Sequence, residues 1–171
     1  MANVKVVSHD LFDAICEDKG WNDNNIPKDI AFISIIGSEH GRKVFNGNEK
    51  EHWFKEKHSN VLNVDFDDVE TEFEYNGGTI LPISEEQSKE VFNFIENNKG
   101  KDFLIHCKAG ISRSAAVGRF IVEMYEGYKT DGDYRFANVD VLAKLRRNFR
   151  EKYHCDFNIK DNNKNETKKR K

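Results

Sequence analysis

The run Ile30–Ile36, apolar and rich in β-branched residues, constrains the fold of this chain more than any other segment. A strand with one face in water alternates apolar and polar residues. A strand without that alternation is buried on both faces, which calls for helices on both sides of a parallel sheet. Val61–Phe66 reads as another such strand, residues 102–106 as the next, and Val4–Val7 as an edge strand.

Helical patterns separate these strands. Leu11–Glu17 reads as a short helix started by Ser8 or Asp10, with Leu11, Phe12 and Ile15 on one face. Gly20 to Pro27 and Gly37 to Asn48 read as loops, and Glu49–Lys57 as a short helix anchored by Trp53 and Phe54. Ser84-Glu85-Glu86-Gln87 opens a helix with a capping box; Val91, Phe94 and Ile95 follow before Gly100 ends it. Ser114 to Tyr125 is the next helix, Glu126 to Asp133 a polar turn, and about Val139 to Phe149 the last helix, with Val141, Leu142 and Leu145 inward. The expected fold class is α/β, a central mostly parallel sheet flanked by helices.

The chain has 171 residues, enough for one domain with a substantial core, expected over residues 1–155. Residues 156–171 are a polar basic tail, read as a solvated, flexible terminus. A net charge of −3 gives no overall drive toward nucleic acid or anionic membrane. No apolar run approaches the roughly 20 residues a membrane helix needs, and the N-terminus lacks the apolar stretch of a signal peptide. Three cysteines, Cys16, Cys107 and Cys155, are widely spaced with no Cys-x-x-Cys, which argues against a disulfide framework or a zinc site. A reducing cytoplasm is the expected compartment, where a free thiol persists. The expected protein is a monomer without metal or cofactor.

Chemistry concentrates in His106-Cys107-Lys108-Ala109-Gly110-Ile111-Ser112-Arg113-Ser114. Strand residues lead in and helix residues lead out, so Cys107 falls at the carboxyl end of a buried strand, where ligands sit in open parallel sheets. Backbone N–H groups from Lys108 to Arg113, at a helix N-terminus beside a guanidinium, make an anion cradle and lower a cysteine pKa. Cys107 is then a standing thiolate nucleophile. Arg113 offers a planar fork for two phosphoryl oxygens. Gly110 permits a turn that a Cβ would obstruct. Ser114 is placed to donate a hydrogen bond to the Cys107 sulfur, and His106 to order the loop. Lys108 adds positive field beside the cradle.

His-Cys-x-x-Gly-x-x-Arg-Ser, as it stands at residues 106–114, resembles the signature loop of cysteine-dependent protein tyrosine phosphatases, and looks most like the dual-specificity branch. The resemblance covers residues 30 to 150. It implies a phosphate-binding loop between the last core strand and the following helix, and a two-step reaction through a cysteinyl-phosphate without metal. Phosphotyrosine in proteins or peptides is the implied substrate, extending to phosphoserine and phosphothreonine. A non-protein phosphate (a nucleotide, an RNA end or a phosphoinositide) is the alternative. Phosphoinositide-type relatives typically carry a second lysine where this chain has Ile111, which weakens the lipid reading.

Such a reaction needs a proton donor for the leaving oxygen, which the resemblance assigns to an upstream aspartate. Phe66-Asp67-Asp68 looks like the family's aromatic, spacer and acid, which favours Asp68 with Asp67 next; Asp65 falls within the strand. Asp68 lies 39 residues before Cys107, a separation longer than in compact dual-specificity enzymes, and residues 70–82 are the expected insertion. There Glu70, Glu72 and Glu74 alternate with Val69, Thr71, Phe73 and Tyr75 before the turn signal Asn76-Gly77-Gly78, a pattern for a hairpin or an acidic lid. Asn138 either caps the last helix or orients the loop. Arg146, Arg147 and Arg150 read as a solvated helix face.

Overall fold

The computed structural model describes residues 1–45 and 49–154, so Cys155 and the basic tail lie outside the described residues. In chain order the elements are β1 (Ala2–Ser8), α1 (His9–Lys19), β2 (Ile30–Ile36), α2 (Glu39–Phe45), β3 (Val61–Asp65), β4 (Phe73–Tyr75), β5 (Gly78–Ile80), α3 (Glu85–Asn97), β6 (Asp102–Cys107), α4 (Arg113–Met124), β7 (Tyr128–Lys129) and α5 (Val139–Tyr153). Five strands form a wholly parallel sheet in the order β3-β2-β6-β1-β7. The α/β architecture with helices on both faces is therefore as the apolar runs require.

Strand periodicity divides the core in two. Ala31, Ile33 and Ile35 of β2 with Phe103 and Ile105 of β6 meet α3, α4 and α5 on one face, where Val91, Ile95, Val117, Phe120, Ile121, Val141 and Leu145 are buried. On the other face Phe32 and Leu104 meet Phe12 and Cys16 of α1 and Phe54. Deleting a ring such as Phe120 from the first core costs about 3–5 kcal/mol.

Helix starts follow the sequence closely. Ser8 caps α1, accepting from Leu11 N–H at 3.2 Å. Ser84 and Gln87 close a reciprocal capping box on α3. On α1, however, the buried face is His9, Phe12 and Cys16, while Leu11 is exposed. On α3 it is Phe92, not Phe94, that is buried beside Val91 and Ile95.

Two expectations are corrected and one is refined. Val4–Val7 lies in β1, next to last in the strand order, and no described strand pairs with its outer side there. The stretch read as a polar turn contributes β7, whose Tyr128 and Lys129 pair with Ala2 and Asn3 outside β1. Residues 49–57 are not helical; the short helix is α2, inside the segment read as a loop. The reason is tertiary. Trp53 donates its indole N–H to Trp21 O at 2.8 Å, Phe54 packs on Phe32 at 5.1 Å between ring centroids, and Asp23 accepts the Lys55 and Glu56 N–H groups. These anchors hold the segment as an extended strap across the α1 face, overriding a weak helical preference.

Residues 73–80 form the two-residue hairpin that Asn76-Gly77 signalled, with φ of 47° and 82° at the turn. No described helix is long and apolar enough to cross a membrane.

Candidate active site

The β6–α4 loop emerges at the carboxyl edge of the sheet, between β2 and β1. Cys107 is the last residue of β6, and Arg113 and Ser114 open α4. The loop turns because Gly110 adopts φ of 74° and presses on β1: a Cβ there would lie 2.4 Å from the Val7 carbonyl carbon and 2.6 Å from Ser8 N. Its own N–H points back at the cysteine, 3.3 Å from Sγ. Ser114 donates its hydroxyl to the same sulfur at 3.0 Å. Burial pushes the Cys107 thiol up. The Ser114 hydroxyl and N–H, the Arg113 charge and the Gly110 N–H outweigh it, and the net displacement is downward.

Arg113 is buried and donates one terminal N–H to Phe66 O at 2.8 Å. Its Nε is also buried and finds no acceptor among the described residues. A buried charged donor without a partner is uncommon and suits an anionic ligand. Ser112, at the N-cap position of α4, makes no side-chain cap, so its hydroxyl does not occupy the helix's first N–H groups.

The hydroxyl goes elsewhere. Ser112 Oγ donates to Asp68 Oδ1 at 2.6 Å, and Asn138 Nδ2 donates to the same oxygen at 2.9 Å. Asn138 also accepts from Asp140 N and Val141 N at 3.1 Å each, so it caps α5 and orients the loop together. Asp68, Val69, Phe45, Cys107, Ile111 and Arg113 line one cleft of about 450 Å³, with Lys108 and Ala109 exposed at its rim.

Asp67 is built differently. Its side chain is buried, and both oxygens are engaged: Oδ1 accepts from Ser38 N at 3.0 Å, and Oδ2 from Ser38 Oγ at 2.6 Å and Leu81 N at 2.8 Å. It latches the β3–β4 connection onto the start of α2.

His106 is buried behind Cys107, its ring 4.3 Å from that of His9 and 4.4 Å from that of Phe12. Nδ1 lies 3.2 Å from Cys107 O and Nε2 2.6 Å from Ser34 Oγ. Burial, with His9 adding to it, pushes the imidazole down to about 3, so the ring is neutral at ordinary pH. Cys16 is a core thiol pushed up to about 12 by burial and the nearby Asp13.

The acidic segment reaches the cleft through α2. His40 Nε2 lies 2.6 Å from Tyr75 O, and the Tyr75 ring stacks on Phe45 at 5.2 Å and 17°. Glu74 is exposed on this hairpin, and Glu70 and Glu72 are exposed on the segment that leads into it. On α5, Arg147 pairs with Glu85 and Arg146 with Glu123, so that face ties α5 to α3 and α4 rather than standing free in solvent.

Sequence reasoning missed Ser34, Ser38, His52 and Phe45. A serine inside the apolar run Ile30–Ile36 was the one visible signal among them. No protein-family model, curated protein or solved structure matches the chain.

Proposed function

We propose that the protein is a cysteine-dependent phosphatase that hydrolyses phosphate monoesters, phosphotyrosine in proteins or peptides foremost. The observation carrying this reading is the Cys107 sulfur, which accepts from Ser114 Oγ and Gly110 N beside the buried, partly unpaired Arg113.

In the first step the Cys107 thiolate attacks phosphorus. The P–S bond forms as the ester P–O bond breaks, and Asp68 gives its proton to the leaving oxygen. Both hydrogen bonds to Asp68 fall on Oδ1, which leaves Oδ2 to carry that proton. In the second step Asp68 takes a proton from water, which attacks phosphorus. The P–S bond breaks and the thiolate returns to the hydrogen bond from Ser114. Arg113 and the loop N–H groups hold the phosphoryl oxygens throughout. Asp67, with both oxygens engaged, is a structural latch in this scheme.

Phe45, Val69 and Ile111 give the cleft apolar walls suited to an aryl ester. The exposed Glu70 and Glu72 before the hairpin and Glu74 on it favour phosphosites flanked by Lys or Arg.

The test is turnover of para-nitrophenyl phosphate by wild type and Cys107→Ser. Loss of activity in the variant is expected, and full activity in it overturns the mechanism. A panel of phosphopeptides, nucleotides, RNA ends and phosphoinositides then separates protein from non-protein substrates. Equal rates on basic-flanked and acidic-flanked peptides, unchanged when Glu70, Glu72 and Glu74 are neutralised, would remove the role given to the hairpin.

A further inference from the structure

Behind the nucleophile a string of polar side chains runs from the surface to the Cys107 carbonyl. Asp65 Oδ1 lies 2.6 Å from His52 Nε2, His52 Nδ1 lies 2.6 Å from Ser34 Oγ, and Ser34 Oγ lies 2.6 Å from His106 Nε2. His106 Nδ1 closes the string 3.2 Å from Cys107 O. Strand register makes it possible: β2 and β6 pair Ser34 with His106, and the strap of residues 49–58 lays His52 over Ser34.

Counting protons assigns every bond. A carbonyl oxygen only accepts, so His106 Nδ1 carries a hydrogen. The buried ring is neutral, so Nε2 is bare and accepts from the Ser34 hydroxyl. That hydroxyl has one hydrogen and has spent it. His52 Nδ1 must therefore donate to Ser34 Oγ. His52 Nε2, facing a carboxylate oxygen, must donate as well. His52 thus donates from both ring nitrogens, to Ser34 Oγ and to the partly exposed Asp65 carboxylate.

All the donors then point the same way, from His52 toward the Cys107 carbonyl. Each bond polarises the next, by about 10–30%, and the last fixes the carbonyl away from the anion cradle. We propose that His52 and Asp65 are positioning residues for Cys107, acting through Ser34 and His106 to aim and polarise its peptide. The proposal rests on Cys107 being the nucleophile.

Other charges face this string. His9 approaches from α1, Arg113 from α4 and Arg42 of α2 near Asp65, while Asp13 of α1 and Glu49 and Lys50 of the strap stand around His9. Lys50 sits 3.4 Å from Asp10 and 3.8 Å from Asp13 and bonds to no member of the string, so it serves as a control for a plain field effect.

The first test is histidine ¹⁵N NMR on the wild-type protein at neutral pH. His52 is expected with both nitrogens protonated and His106 as the Nδ1–H tautomer. A singly protonated His52, or an Nε2–H His106, overturns the proposal. The second test follows the pH dependence of Cys107 alkylation by iodoacetamide in His52→Gln, Asp65→Asn and Lys50→Ala, with thermal unfolding alongside. The first two are expected to raise the apparent thiolate pKa by about half a unit or more, and Lys50→Ala to leave it in place. An unmoved thiolate in folded His52→Gln and Asp65→Asn overturns the positioning role. Absent phosphatase turnover with these NMR and alkylation results intact would overturn the proposed function and not the string.

Discussion

Ser112 Oγ lies 2.6 Å from Asp68 Oδ1, joining two loops 44 residues apart in the chain. One loop follows β3 and the other carries Cys107, so the proposed acid is tied to the β6–α4 loop. The Asn138 amide makes a second tie from the start of α5.

This geometry separates the two aspartates experimentally. Asp68→Asn is expected to lower kcat by about 100-fold on an ester with a poor leaving group. It should cost much less with para-nitrophenolate, which departs without full protonation. Asp67→Asn is expected to act on stability, because three donors lose a charged acceptor at about 1.5–3 kcal/mol each. Urea unfolding beside steady-state kinetics reads both. A greater loss of kcat in a fully stable Asp67→Asn than in Asp68→Asn would reverse the assignment.

Two glycines with similar positive φ have different consequences on substitution. Gly20, at φ 68°, has nothing within 4 Å of where a Cβ would stand, so Gly20→Ala costs about 1–2 kcal/mol of backbone strain alone. Gly110, at φ 74°, would drive a Cβ into the backbone of Val7 and Ser8. Gly110→Ala is expected to displace the loop and abolish the rapid alkylation of Cys107, with a larger fall in unfolding free energy than Gly20→Ala. Equal stability losses with unchanged Cys107 reactivity would contradict the packing.

The two described cysteines should differ in reactivity. Cys107, held down by Ser114, Arg113 and Gly110 against its burial, is expected to react with iodoacetamide at lower pH than a free cysteine does. Cys16, pushed up to about 12, is expected to react only on unfolding. Ser114→Ala removes the leading favourable contribution and should shift the Cys107 profile to higher pH. Peptide mapping after timed alkylation checks the order.

His106 ties stability to pH. Its imidazole stands at about 3 in the folded chain against 6.5 for a free one, so the unfolded chain binds the extra proton first. Stability is then full above about pH 6.5 and falls as pH drops toward 3, with a slope of up to about 1.4 kcal/mol per pH unit from this group. Urea titrations between pH 7.5 and 4.5 are expected to show a shallower decline in His106→Gln than in wild type. Parallel declines would assign the acid sensitivity to other groups.

Much of this was legible in the chain because it is local. Apolar runs without alternation gave buried parallel strands, Ser84 and Gln87 gave a capping box, and Asn76-Gly77 gave a hairpin, each through contacts within a few residues. The strand, glycine turn and helix start around Cys107 and Arg113 were readable for the same reason. What the tertiary structure decided depends on partners far apart in sequence. Trp21, Asp23 and Phe32 turned residues 49–57 into a strap, β7 paired with the first residues of β1, and Ser38 with Leu81 separated Asp67 from Asp68. Ser34 and His106 meet only because β2 and β6 pair in register across 72 residues, and His52 joins them only because the strap crosses that face. Propensity and spacing act along the chain, whereas hydrogen-bond partners are chosen by packing, and packing is settled only once the sheet has brought its strands together.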